Sequence, residues 1–145
     1  MMETLEKSWI GGESEEDEIY KENILDHFRN PRNFGKLENY SFKSSKFNPA
    51  CGDHIELFVL FEDSRVKEAR FIGKGCAISM ASASMLTEKI KEMKLEELKK
   101  LKESFALEPI GVELGVVRKK CGLLPLRVLA EGIKKMEEEN EQADN

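Results

Sequence analysis

Three β-prone segments follow one another between residues 40 and 75 with very little chain between them. Residues 40–48 read as a first strand and the apolar run HIELFVLFED (54–63) as a second. SRVKEARFIGKG (64–75) reads as a third, with Val66, Ala69, Phe71 and Gly73 in rough alternation. Parallel neighbours need a crossover of a dozen or more residues, usually a helix, and these connections are too short for one. The segments are therefore expected to form an antiparallel meander.

Helical spacing takes over on both sides of it. In EIYKENILDHFR (18–29), Ile19, Ile24, Leu25 and Phe28 fall on one side. NPRNFGKLEN then ends that helix with Asn-Pro and Gly. Residues 76–91 put Ile78, Ala81, Met85 and Leu86 on one face with small Ser and Ala residues between them. Residues 94–103 read as an exposed amphipathic helix, and residues 122–138 carry a stripe of Leu126, Leu129, Ile133 and Met136. Residues 105–120, broken by Pro109, Gly111 and Gly115, give no clear signal. Pro125 fits the first turn of a helix, where N–H groups are unpaired anyway, so the last helix is expected to begin near Gly122. Strands first and helices after is an α+β order. A chain of 145 residues has room for one modest core. The expected organisation is an acidic flexible arm at 1–17, one folded domain at 18–138 and a fraying polar tail at 139–145.

Charge narrows the partners. Of 28 acidic and 23 basic residues, seven acids and one base fall within 1–18, so the remainder is within one charge of neutrality. The acidic arm disfavours nucleic acid, whose non-specific binding requires phosphate neutralisation. No apolar run approaches the roughly 20 residues that span a bilayer. The N-terminus shows neither a positive-then-apolar signal nor an Arg-rich transit pattern. A cytoplasmic chain with no nucleic acid and no membrane partner is expected.

The three cysteines, Cys51, Cys76 and Cys121, are an odd number and a poor disulfide framework. All three sit at expected element ends. Cys51, in KFNPACGDH (46–54), precedes a strand; Cys76 follows Gly73-Lys74-Gly75 and opens a helix; Cys121 lies at or just before a helix start. Helix N-termini stabilise thiolates through free N–H groups and the dipole. Asp53 stands two residues after Cys51, a spacing that turns both side chains to one side of an extended backbone. Three thiolates and one carboxylate form a four-ligand set suited to zinc or an iron–sulfur cluster. A hard oxygen among soft sulfurs suits a metal or cluster that must leave. The spacings of 25 and 45 residues match no local zinc-finger pattern. Spacing alone leaves two readings open, this site or three unrelated thiols beside a solvated aspartate. Lys74 near Cys76, and Arg118, Lys119 and Lys120 before Cys121, either stabilise an anionic cluster and lower the thiol pKa values or form a solvated basic turn. His54 reads as a surface residue. Gly73 and Gly75, lacking dinucleotide or Walker spacing, read as backbone clearance beside Cys76.

The segments IYKENILDHFRNPRNFG, NPACGD, GKGCAISMASASM and RKKCGLL closely resemble the IscU/SufU family of iron–sulfur scaffold proteins, also found as the N-terminal domain of NifU. The resemblance runs from about Ile19 to Ile133. It implies a three-stranded antiparallel sheet with helices packed on one face and a long C-terminal helix. It implies Cys51, Asp53, Cys76 and Cys121 as ligands of a transient [2Fe–2S] cluster, of iron, or of Zn²⁺ in the resting state. Cys121 further matches the cysteine that accepts persulfide sulfur from a cysteine desulfurase, and apo iron–sulfur proteins would receive the cluster. Tyr20 matches a tyrosine linked to self-association, so a monomer or a dimer is implied.

The chain also departs from the family pattern. Lys120 stands where IscU-type members carry His, as in SufU-type members, yet the 45-residue gap lacks the SufU-type insertion. LGVVRK (114–119) replaces the Leu-Pro-Pro-Val-Lys segment read by an Hsp70-type chaperone, so that partner is in doubt. The leading expectation is a cluster assembly scaffold, and the alternative is a SufU-like zinc-dependent sulfur carrier. A plain structural zinc module is disfavoured by the Asp53 ligand.

Overall fold

A computed structural model describes residues 15–143 of the chain. Its elements in order are α1 (Glu15–Arg29), β1 (Phe42–Asn48), β2 (Asp53–Glu62), β3 (Arg65–Lys74), α2 (Ala77–Lys89), α3 (Leu95–Leu98), α4 (Glu103–Leu107) and α5 (Val116–Ala143). The strands form an antiparallel sheet in the order β1-β2-β3. The meander expected from the short connections is what forms, and the α+β class holds. The register explains the rough alternation in β3. A bulge opposite Leu60 and Phe61 places two residues, Lys67 and Glu68, between the inward-facing Val66 and Ala69.

One face of the sheet is covered by helices. α5 lies on β1 and β2, and α2 lies on β3. Between them sits the main core, built on Leu57, Val59, Phe71, Leu86, Val128 and Leu129. The other face turns toward solvent, where Tyr40 shields Phe58 at 5.8 Å between ring centroids. No described helix is long and apolar enough to cross a membrane.

The helices differ from the sequence reading in four places. α2 is buried on all sides from Ala77 to Thr87, rather than on one stripe, because it is enclosed by α1, α4, α5 and β3. Its serines and threonine are tolerated there because each finds a partner. α1 turns a different face inward. Ile24, His27 and Lys21 are buried, while Ile19 is 68% exposed. The expected 94–103 helix shrinks to a single turn, because Leu95 N–H bonds the Ser64 carbonyl (2.8 Å) and Leu101 turns back onto the core.

The fourth difference is the start of α5. It begins at Val116, not near Gly122, with Pro125 inside it, and the Lys119 N–H bonds the Gly115 carbonyl (2.9 Å). α5 continues to Ala143, so the tail from 139 is helical as far as it is described. Of the acidic arm, residues 15–17 belong to α1, and the rest lies outside the described residues.

α1 is pinned to α2 through His27. His27 Nδ1 lies 2.7 Å from Ser84 Oγ, and the same hydroxyl accepts the Arg32 backbone N–H at 2.9 Å. Glu88 stands 3.9 Å from Nε2. Burial lowers the His27 pKa below its ordinary 6.5, and the nearby Arg32 charge lowers it further; Glu88 and Asp26 oppose them without prevailing. Below pH 6.5 the unfolded chain takes up this proton before the folded one does. Stability from His27 is therefore present above that pH and lost as the pH falls toward the folded-state value. Thermal melts between about pH 7 and pH 5 should show a falling midpoint, and His27→Gln should flatten that slope.

Candidate metal centre

The site begins at the β1–β2 turn. Asn48, the last residue of β1, pairs with Asp53, the first of β2. The Asn48 carbonyl accepts the N–H groups of Cys51 (3.3 Å) and Gly52 (2.8 Å), and its side-chain oxygen accepts the Ala50 N–H at 3.2 Å. Gly52 has φ 71°, a left-handed conformation that glycine adopts without steric cost. The turn leaves Cys51 exposed at the rim. One residue further, the alternation of β2 turns Asp53 inward with Ile55, Leu57 and Val59, and Asp53 is fully buried.

A buried carboxylate requires partners. Asp53 Oδ1 accepts the backbone N–H of Cys76 at 2.9 Å. Cys76 is the N-cap of α2, as its place after Gly75 suggested. The carboxylate therefore caps the positive end of α2. Asp53 Oδ2 lies 3.9 Å from Cys76 Sγ, and the Ser79 hydroxyl donates to the Cys76 carbonyl at 3.1 Å. Gly75 makes this approach feasible. A Cβ there would lie 2.5 Å from both Asp53 Oδ1 and Ser79 Oγ. The expected clearance beside Cys76 is thus room for a carboxylate, and Gly73 gives similar room beside the His54 carbonyl.

Cys121 comes from the other side. It lies in the second turn of α5 rather than ahead of the helix, and it is fully buried. Its Sγ stands 2.8 Å from Cys51 Sγ, with Asn48 Nδ2 at 3.9 Å. The structure brings Cys51, Asp53 and Cys121 together, with one ligand atom from each within 4.8 Å of the others. Cys76 stands outside that group, against Asp53. All three thiols are free, and a solvent-open cleft of about 530 Å³ is lined by Cys51, Cys76 and Cys121 together with Ile78, Val116, Val117 and Arg118.

Burial pushes the Cys121 thiol far above the ordinary cysteine range, reinforced by Cys51 and Asp53 and by the negative charge of Cys76 and Asp53. This is opposite to the lowering expected from the neighbouring cations. The helical phase supplies the reason. Lys119 and Lys120 are exposed, as is Lys74 at the end of β3, while Arg118 lines the cleft. The donor set fits a soft cation. Two sulfurs in contact beside a buried carboxylate cannot all carry charge without one, so binding metal would release protons from the thiols.

Sequence reasoning did not single out Asn48, Ser79 or Ser82. Asn-Pro before Cys-Gly-Asp was a turn signal. The serines resemble small spacers in the sequence, but Ser79 bonds back to the Cys76 carbonyl at the start of its own helix and Ser82 bonds across to α5.

Such a small α+β domain, with a three-cysteine, one-aspartate mouth between a hairpin turn and two helices, defines a class of metal- or cluster-handling fold. Residues 19–143 match the family described as NifU-like N-terminal domain, and the chain belongs to that family. It is 36% identical over 138 residues to the zinc-dependent sulfurtransferase SufU of Bacillus subtilis (strain 168), covering 83% of this chain and 93% of the relative. It is 33% identical over 134 residues to the iron–sulfur cluster assembly scaffold protein IscU of Thermotoga maritima, covering 81% and 94%. Among solved structures it superposes, with TM-score 0.65 and 30% identity, on a candidate cluster assembly scaffold for the SUF system from Fervidobacterium islandicum AW-1. The match covers 80% of this chain and 97% of that one. A NifU-like N-terminal protein from Brucella abortus shares the fold with TM-score 0.68 at 21% identity, over 84% and 96% of the two chains.

The tight fit at Gly75 is testable without metal. Gly75→Ala should lower the unfolding free energy by about 1–3 kcal/mol through overpacking. Most of that loss should disappear when Asp53 and Ser79 are also shortened to Ala, as urea unfolding of the Asp53→Ala/Ser79→Ala chain with and without Gly75→Ala would show.

Proposed function

We propose that this chain is an iron–sulfur cluster assembly scaffold. It accepts persulfide sulfur on Cys121 from a cysteine desulfurase, holds a [2Fe–2S] cluster on Cys51, Asp53, Cys76 and Cys121, and passes it to apo iron–sulfur proteins. The observation that carries this reading is the convergence of Cys51, Asp53 and Cys121 within 4.8 Å, with Cys76 on the wall of the same open cleft. Family membership and the IscU and SufU relatives support it.

Sulfur acceptance is a thiol exchange. The Cys121 thiol attacks the terminal sulfur of the donor's persulfide, a new S–S bond forms on Cys121 as the old one breaks, and the Cys121 proton passes to the departing donor thiolate. Cys121 is the buried member of the set, so its persulfide would be shielded from water. Cys51, exposed at the rim, and Cys76, half-buried opposite, remain free to receive iron. The site opens beside Val116 and Val117, which are 77% and 52% exposed and offer an apolar edge to a docking partner. The activity belongs in the cytoplasm, where such thiols stay reduced.

Asp53 serves two roles in this reading. It caps α2, and its oxygen is the weakest partner for iron in the set. The site is thereby held together by a group that binds its cargo loosely.

A second reading, a zinc-dependent sulfur carrier, is favoured by Lys120 in place of histidine and by the SufU relative. The same four residues would then hold Zn²⁺, which when bound keeps thiols deprotonated. Docking of the desulfurase would free Cys121 to take sulfur.

Asp53→Cys should bind the cluster more tightly and transfer it to an apo-ferredoxin about tenfold more slowly, as about 1.4 kcal/mol of added ligand strength requires. Transfer at wild-type speed would remove lability from the role of Asp53. Cys121→Ser should abolish sulfur acceptance, seen by mass spectrometry of persulfide-labelled protein, while circular dichroism stays native. Label found on Cys51 or Cys76 in the wild-type chain would reassign the acceptor.

A further inference from the structure

We infer that Ser82 is a positioning residue for Cys121: through the Gly122 carbonyl it holds the sulfur-bearing turn of α5 where Pro125 has removed the helix's own hold. The inference rests on the reading of Cys121 as ligand and sulfur acceptor, and it concerns how that sulfur is kept in place.

Pro125 is the tenth residue of a 28-residue helix. It has no N–H, so the helical bond that residue 125 would give to the carbonyl of residue 121 cannot form, and its ring crowds that carbonyl. The carbonyl concerned belongs to Cys121 itself. A proline inside a helix is a usual place for a kink. The two sides of this one are held differently. Beyond Pro125, Val128, Leu129 and Ile133 are buried in the main core. Before it, Val116, Val117, Lys119 and Lys120 are exposed, and only the stretch from Cys121 to Leu124 is buried.

Into that stretch reaches one short, buried hydrogen bond. Ser82 Oγ donates to the Gly122 carbonyl at 2.6 Å, and Ser82 is 2% exposed. A serine within a helix often bonds back to its own preceding turn. Ser82 instead bonds across to a residue 40 positions away, one beyond Cys121. It is carried by α2, whose N-cap is Cys76. The helix that presents Cys76 therefore also sets the turn that presents Cys121. Through the Asp53 cap on Cys76 the same helix is tied to the Cys51 turn as well. Had Ser82 only filled space between helices, its loss would not act selectively on one sulfur.

The test uses the full chain, reduced and metal-free, with iodoacetamide labelling of each cysteine followed by mass spectrometry. Ser82→Ala should raise the Cys121 labelling rate about tenfold, the worth of one buried hydrogen bond, while Cys51 and Cys76 keep their rates. The increase should not depend on sub-denaturing urea, the mark of local opening rather than global unfolding. Pro125→Ala, which restores the helical donor, should bring the double variant back near the wild-type rate. In a Co²⁺ titration followed by the thiolate charge-transfer band, Ser82→Ala should weaken binding in the wild-type and Cys51→Ser backgrounds but not in Cys121→Ser. An unchanged Cys121 rate, a rise that grows with urea, or equal weakening in the Cys121→Ser background would overturn the inference. A wild-type chain that takes up no Co²⁺ would instead overturn the metal reading, and the labelling result would still decide the role of Ser82.

Discussion

One buried carboxylate organises this molecule. Asp53 ends a hairpin turn and begins a strand, and its Oδ1 accepts the N–H of Cys76, the N-cap of α2, at 2.9 Å. That bond joins the turn carrying Cys51 to the helix capped by Cys76. Without a partner of this kind, a fully buried aspartate would be strongly destabilising. The positive end of α2 supplies one, and Gly75 supplies the space. The sheet and the all-round burial of α2 hold that helix end against that strand end.

The remaining candidate ligand, Cys121, is delivered by α5, and its electrostatics follow from where it lies. Cys121 is buried against Cys51 and near Asp53, so an extra negative charge there is disfavoured, and its thiol is held neutral far above its ordinary range. A cation entering the cleft reverses that balance, since it favours thiolate at each sulfur. The proposed centre would then alternate between a neutral, compact state and a metal-bound, deprotonated one. If Asp53 is a ligand as proposed, an oxygen that also caps a helix would let the second state revert without unmaking the fold.

Much of this was legible in the sequence, and the parts that were not share a cause. The three strands were readable because HIELFVLFED and its neighbours leave no room for a crossover. The candidate ligands Cys51, Asp53 and Cys76 were readable because soft donors and a carboxylate stood at element ends, whereas Cys121, expected at a helix start, lies in the second turn of α5. KLEELKKLKE was misread because its pattern is helical while its ends are fixed elsewhere, by Ser64 on one side and Leu101 on the other. The start of α5 was misread because Pro125 fits a first helical turn, where its missing N–H costs nothing, whereas the helix begins at Val116 and carries Pro125 inside it, with Ser82, 43 residues before Pro125, supplying a hold from another helix. Placing the helix start six residues too late hid the phase of Lys119 and Lys120, and with it the direction of the Cys121 shift. Long-range hydrogen bonds from small polar side chains leave no periodic trace, which hid Asn48 and Ser82, while Ser79 bonds only back to Cys76 in its own helix turn and looks like any small helical residue.

Central to the account is a centre that builds a cluster and lets it go. Anaerobic reconstitution of the purified chain with Fe²⁺ and sulfide, followed by absorption spectroscopy and mixing with an apo-ferredoxin, addresses that claim directly. The account predicts visible [2Fe–2S] bands on this chain that decay as the ferredoxin gains its own. Tightly held zinc with no cluster formed, or a cluster that never moves to the acceptor, would contradict it.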